Sequence, residues 1–227
     1  MRCMLFDSSV SAQVGRHARS RTADVVLDLV ARTAVTGASV SVFAGNVGDL
    51  VYATDDTAME VDELQFTVGE GPAVECFRSG SAEMQHNVSA PDYVDRWPIF
   101  AGEVAGLGVH CIYAFPLTAG LRPLGVLTLY GVKSQLLSLR EAGICRTYSS
   151  SLVPCVLADL ARTSSSRGPY GFSRADVHVA SGILAAQKNV SLARAMLFLR
   201  SYAYICRCST TVVAREVIAR LAETNAM

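Results

Sequence analysis

The sequence predicts an α+β protein: an antiparallel sheet flanked by helices, followed by a C-terminal three-helix bundle. Three observations lead there. Short apolar runs bounded by Gly- and Pro-containing turns recur between residues 38 and 130. The stretch Thr163-Ser164-Ser165-Ser166-Arg167-Gly168-Pro169 has the composition of a linker. Beyond it, the apolar residues follow helical spacing only.

In chain order, Val14, Val25, Val26, Leu29 and Val30 fall on a loose helical period, so a helix is expected from about Ser11 to Thr33, stopped by Gly37. Ala38 to Phe43 alternates as a half-buried strand, Gly45-Asn46-Val47-Gly48 turns, and Leu50 to Ala53 returns as a second strand. A short helix near Ala58–Gln65 leads to Val68-Gly69-Glu70-Gly71-Pro72, after which Ala73–Ser79 continues as a helix with Pro72 in its first turn. Asp92 is expected to cap one helix running to about Leu107. Strands follow at His110–Leu117 and Gly125–Tyr130, then a long helical stretch from Leu136 to Arg162. Pro154, which lacks a backbone donor, is expected to kink or split that stretch.

Past the linker, Ser173 with Asp176 forms a capping box for a first helix faced by Val177, Ala180, Ile183 and Leu184, ending near Lys188-Asn189. Ser191 caps a second, with Leu192, Ala195, Met196, Leu199, Tyr202, Ala203 and Cys206 at helical spacing. Ser209 or Thr210 caps a third, faced by Val213, Ala214, Val217, Ile218 and Leu221. The expected organisation is therefore a first domain at 10–162, a linker at 163–172 and a helical domain at 173–222.

Composition narrows the function. The 227 residues are 51% hydrophobic and 18% charged, which excludes disorder and leaves chain enough for a real core. Net charge is zero but unevenly spread: residues 168–227 hold seven basic groups against three acidic ones, and the earlier part carries the balancing negative excess. A basic helical tail points to an anionic partner such as nucleic acid, or is simply a solvated face. No run reaches the roughly 20 apolar residues of a membrane span. The apolar start is too short for a signal peptide. Seven scattered cysteines without a CxxC pair suit a reduced, cytoplasmic setting. No metal site and no cofactor are expected: the four histidines are scattered, and Cys206-Arg207-Cys208 lacks zinc spacing.

Catalytic signals are weak. Neither GxSxG nor a phosphate-binding glycine loop is present. Cys76 and Cys111 lie in apolar surroundings, which suits core thiols better than nucleophiles, and Glu70 with Glu75 is a carboxylate pair by spacing alone. No enzyme is expected.

Two sets of phrases carry resemblances. Leu64-Gln65-Phe66-Thr67-Val68-Gly69-Glu70-Gly71-Pro72, Arg96-Trp97-Pro98, Gly108-Val109, Phe115-Pro116-Leu117 and Leu124-Gly125-Val126-Leu127 together resemble GAF domains, most closely those of bacterial transcriptional regulators. This implies a small-molecule pocket over one sheet face. Phe66, Trp97, Phe100, Cys111 and Tyr113 are its candidate walls, with plain core as the alternative for Trp97, Phe100 and Cys111. Ala73 stands where close relatives carry Cys, which argues against a thiol or metal sensor in this loop.

The second set is Ala180-Ser181-Gly182-Ile183-Leu184, Ser191-Leu192-Ala193-Arg194-Ala195, Leu199-Arg200-Ser201-Tyr202-Ala203 and Val213-Ala214-Arg215-Glu216-Val217. These resemble an ANTAR domain, an RNA-binding module of transcription antiterminators that recognises paired stem-loops. Departures fall at Ser181, where many relatives carry Lys or Thr, and at Arg194, where Glu often closes a cap box. At about 100° per residue, Arg200, Tyr204 and Arg207 form one stripe, which is an ordinary polar flank with a half-buried tyrosine or, as the resemblance implies, a surface for phosphate pairing and base stacking. With Lys188, Ser181, Arg215 and Arg220 they are the expected RNA contacts.

The expected protein is an effector-sensing antitermination regulator acting as a homodimer on RNA stem-loops, with Ile144, Tyr148, Leu152, Val156 and Leu160 as a dimer stripe or as cover for the sheet. A helix-turn-helix-like DNA binder and a thiol-dependent GAF enzyme are the alternatives.

Overall fold

A computed structural model describes residues 20–44, 47–120, 122–163 and 174–225. The expected helix start at 11–19, the turn residues Gly45 and Asn46, nearly all of the linker and the Ser173 cap lie outside the described residues.

Helix α1 (Arg21–Ala31) starts where the Ser20 hydroxyl accepts the Ala23 N–H, and it buries Thr22, Val26 and Leu29. Strands β1 (Gly37–Ala44) and β2 (Val47–Ala53) form the expected hairpin. Helix α2 (Asp56–Val68) is capped by the Asp55 carboxylate and stopped by Gly69, whose φ of 75° is left-handed. Helix α3 (Pro72–Ser79) has Pro72 in its first turn, as expected. A three-residue strand, β3 (Glu83–Gln85), follows.

The single helix expected between Asp92 and Leu107 is two, α4 (Pro91–Arg96) and α5 (Pro98–Gly106). Trp97 breaks them at φ −137° and ψ 70°, because the residue before a proline is driven out of the helical region. Strands β4 (Cys111–Ala119) and β5 (Arg122–Gly131) complete an antiparallel sheet of order β2-β1-β5-β4-β3. Helix α6 (Leu139–Thr163) then runs unbroken through Pro154. The expected split does not occur: Pro154 faces solvent, and fully buried Leu152 and Val156 pin the helix to the sheet on either side of it.

Strand alternation divides the core. Val40, Val42, Cys111, Tyr113, Phe115, Leu127 and Leu129 point to the face covered by α1 and α6. The opposite face carries Ile112 and Tyr130 beneath α2, α4 and α5, and Ala114 and Val126 beneath α3. Both faces are thus covered, and β1 is buried on both faces from Gly37 to Val42 rather than half-buried as its pattern suggested. Its inward polar residue Ser41 is satisfied by donating to Asp62. Ile144, Tyr148, Leu152, Val156 and Leu160 belong to the first core or pack against it, so this stripe covers the sheet and α1.

Helices α7 (Ala175–Lys188), α8 (Leu192–Cys206) and α9 (Thr210–Asn225) form the three-helix bundle. Asn189 ends α7 in the left-handed conformation, Ser191 caps α8, and the Ser209 hydroxyl accepts the Val212 N–H at 3.2 Å to cap α9. The bundle core is narrower than the spacing implied. Ala195, Leu199 and Ala203 are buried on α8, whereas Leu192, Tyr202 and Cys206 are exposed. Small residues let the helices approach closely, so a strip one residue wide suffices. One further member of this core, Phe66, comes from α2.

Candidate functional site

The bundle rests on the sheet domain through α2 and α5, and the contact is built around Arg174. This residue precedes α7 and is 3% exposed. Its Nη2 donates to Asp62 Oδ2 at 2.9 Å and Glu63 Oε2 at 2.6 Å, and its Nη1 donates to the Gly48 carbonyl. Its backbone N–H reaches Asp49 Oδ1 at 3.2 Å. Burial works to lower the guanidinium pKa, but the Glu63 and Asp62 carboxylates outweigh it and hold Arg174 above the ordinary arginine value. Burial pushes the Asp49 carboxyl up.

Phe66 lies beneath two guanidiniums. Arg174 Cζ stands 3.9 Å from its ring centroid and Arg200 Cζ 5.3 Å. Burial, with Arg174 close by, pushes the Arg200 pKa down to about 10. Along the same side of α8, the Tyr204 hydroxyl donates to Glu103 Oε1 at 3.2 Å. Arg207 Nη1 reaches the two oxygens of that carboxylate at 3.1 and 3.2 Å. Arg207 Cζ also lies 5.7 Å from the Tyr204 ring centroid. Thr67 and Thr210 hydroxyls meet at 3.2 Å. Arg200 and Tyr204 on α8, with Arg207 at its left-handed C-cap, therefore all meet the sheet domain.

The other expected nucleic-acid residues separate. Ser181 is buried and donates to the Val177 carbonyl at 2.6 Å, so it belongs to the bundle interior and offers no surface contact. Lys188 is exposed at the end of α7. Arg215 pairs with Asp176 at 2.9 Å and Arg220 with Glu216 at 2.5 Å, both on the bundle surface.

The expected pocket walls do not form one pocket. Trp97 and Phe100 fill the core under α4 and α5, Cys111 and Tyr113 fill the core on the opposite sheet face, and Phe66 joins the bundle. The alternation of β4 forbids a shared cavity, since the sheet itself lies between the first two pairs. A cleft of about 470 Å³ does open beside α8, lined by Phe43, Phe77, Arg78, Arg122 and Arg200 among others; none of the expected walls lines it, and Arg200 was expected to contact RNA.

The residues suspected of catalysis have structural partners. Glu70 Oε1 accepts the Ile99 and Phe100 N–H groups at 2.8 Å each and so caps α5, while Glu75 pairs with Arg78 at 3.0 Å. Burial pushes the Cys76 thiol up to about 12 and raises that of Cys111, which keeps both protonated. Arg174, Asp62, Glu63 and Glu103 escaped the sequence reading. The usable signal was an acidic pair inside the apolar run Val61-Asp62-Glu63-Leu64, which demands a cationic partner once α2 is buried.

No family model and no curated protein matches this chain. Among solved structures it is similar to a domain of a protein described as a two-component sensor histidine kinase from Sinorhizobium meliloti 1021. The TM-score is 0.50 at 15% identity, over 63% of this chain and 93% of that one. It is also similar to the GAF domain region of a protein described as a membrane protein from Geobacter sulfurreducens PCA (TM-score 0.48, 13% identity, 60% and 89% covered). A third is the GAF-B domain of DevS from Mycobacterium smegmatis (TM-score 0.43, 13% identity, 63% and 94% covered). The five-stranded antiparallel sheet with its helices is an α+β fold shared with the Sinorhizobium meliloti domain. Among the described residues, no helix is long and apolar enough to cross a membrane.

Proposed function

We propose that this chain is an RNA-binding transcription antitermination regulator. In this reading the GAF-like domain senses a small effector and controls the access of an ANTAR-like bundle, α7–α9, to paired stem-loops in nascent RNA. The reading is carried by one observation: Arg200 and Tyr204 on α8 and Arg207 at its C-cap are turned the same way, and each is engaged by a side chain of the sheet domain. Phe66 stands against Arg200 as an unpaired base would, and Glu103 offers Tyr204 and Arg207 the anionic oxygens that a phosphate would. The docked arrangement and an RNA complex then compete for the same groups. An effector acts by its differential affinity for the docked and undocked states. Two stem-loops call for two reading heads and hence a homodimer. Its contact would use a surface other than the α6 stripe, which is spent on the sheet.

The test is binding of the full chain to a tandem stem-loop RNA, a scrambled RNA and duplex DNA at several salt concentrations, with Glu103→Gln alongside. Hairpin-selective binding is expected, rising about two- to five-fold in Glu103→Gln, since a partly exposed pair contributes at most about 1 kcal/mol. Equal binding to all three nucleic acids, unchanged in the variant, would refute the reading. Preference for duplex DNA would replace it with a DNA-binding regulator.

A further inference from the structure

We infer that the cleft beside α8 is a binding site for a small aromatic phosphate, and that its occupant ties the bundle to the sheet domain. The site deepens the function proposed above and depends on it only for the effect on RNA.

The cleft holds about 470 Å³, inside the roughly 300–1,000 Å³ range of small-molecule sites. Three guanidiniums line it. Arg78 comes from the last turn of α3, Arg122 from the start of β5, and Arg200 from α8. Two belong to the sheet domain and one to the bundle, so the site is complete only when the two are docked. Arg122 is exposed and makes no salt bridge among the described residues. Arg78 pairs with Glu75 but remains 68% exposed, free to turn toward a second anion. Arg200 is mostly buried and faces the like charge of Arg174, which its lowered pKa reflects.

The helix ends on this cleft, Gly69 of α2 and Gly80 of α3, contribute about half a negative charge each, and the arginines stand against them. Gly69 also permits the approach: a Cβ there would come within 2.7 Å of Arg200 Nη1. A phosphate supplies the paired oxygens that guanidiniums bind in a fork. The remaining wall is apolar. Phe43 and Phe77 stack with centroids 4.1 Å apart at 12°, beside Val74 and Pro123, and present a surface for a planar ring.

A ligand that binds the docked state alone favours it by mass action, about 100-fold at a concentration 100 times its dissociation constant. The occupant is therefore a clamp, and its loss frees α8.

The experiment titrates the full chain, without RNA, with phenyl phosphate, inorganic phosphate and benzyl alcohol, by calorimetry and by hydrogen exchange over Leu192–Cys206. Arg122→Gln and Arg78→Gln, both at exposed positions, accompany the native chain. Phenyl phosphate is expected to bind about ten-fold tighter than inorganic phosphate, to weaken about ten-fold in each variant, and to slow exchange in α8. No binding at millimolar phenyl phosphate, or binding indifferent to both variants, overturns the site. Equal affinity for the two phosphates overturns the ring pocket, and binding that leaves α8 exchange unchanged overturns the clamp. Because RNA is absent, hairpin-selective RNA binding with no phenyl phosphate binding would sink this site alone, and the reverse result would sink the RNA reading alone.

Discussion

Replacing Arg174 with Gln removes a guanidinium that is 3% exposed and leaves Asp62 and Glu63, at 6% and 13% side-chain exposure, facing each other without their cation. Breaking one side of a buried ion pair costs about 3–5 kcal/mol. Ser41 still donates to Asp62, and Thr67 to Glu63 at 3.4 Å, which places the loss toward the lower end. The strain has an outlet: undocking the bundle returns both carboxylates to water. At about 1.4 kcal/mol per tenfold, the docked-to-undocked ratio should fall by roughly two to three orders of magnitude, while the sheet domain keeps most of its own stability. Hydrogen exchange of α8 and of α2 reads the first quantity, and urea unfolding followed at Trp97 reads the second. The triple change Arg174→Gln, Asp62→Asn, Glu63→Gln removes the stranded charges and should recover much of the loss. Unchanged α8 exchange in Arg174→Gln, or no recovery in the triple variant, would refute the reasoning.

Other consequences are equally open to measurement. Gly125→Ala puts a Cβ 2.2 Å from the Ser41 carbonyl oxygen in β1. Thermal unfolding should show a loss of about 1–3 kcal/mol or more from overpacking, with β1–β5 amides losing protection first. Asp159 is held below its ordinary 3.8: burial raises it, but the donors Ser20, Thr22 and Arg162 outweigh burial. A depressed carboxyl stabilises the fold above its unfolded pKa and loses that contribution as pH falls through the folded value. Asp159→Asn should therefore be less stable at neutral pH and lack the native chain's loss of α1–α6 protection in acid below about 3.8.

Much of this architecture was legible beforehand, for identifiable reasons. The β1–β2 hairpin, α3 with its leading proline, and the Ser191 and Asn189 helix ends follow from local chemistry, and each falls where that chemistry places it. Pro98 carried the information that α4 and α5 are separate, though the apolar continuity around it hid the break. A strand as short as β3 offers no period to detect. The half-burial assigned to β1 failed because alternation reports polarity, and Ser41 is polar yet bonded inside. At the candidate site, the common face of Arg200 and Tyr204 was readable from helix geometry. Its cover was not, since nothing in a linear pattern relates Glu103 to a tyrosine about a hundred positions later. The expected pocket failed for a related reason: aromatic residues near a glycine-rich phrase mark burial, and burial does not say on which side of the sheet they fall.

The presence of Phe66 in the bundle interior bears on how such a protein can be taken apart or recombined. A gene fragment encoding α7–α9 alone would produce helices missing one of their own hydrophobic contacts, with Leu199 and Ala203 losing a neighbour. Grafting the bundle behind a foreign sensor would succeed only where that sensor brings an aromatic ring to the same helix turn. The boundary drawn by the linker composition and the boundary drawn by packing are therefore different boundaries. Evolutionary exchange of either half is constrained at a residue that lies about a hundred positions from the joint.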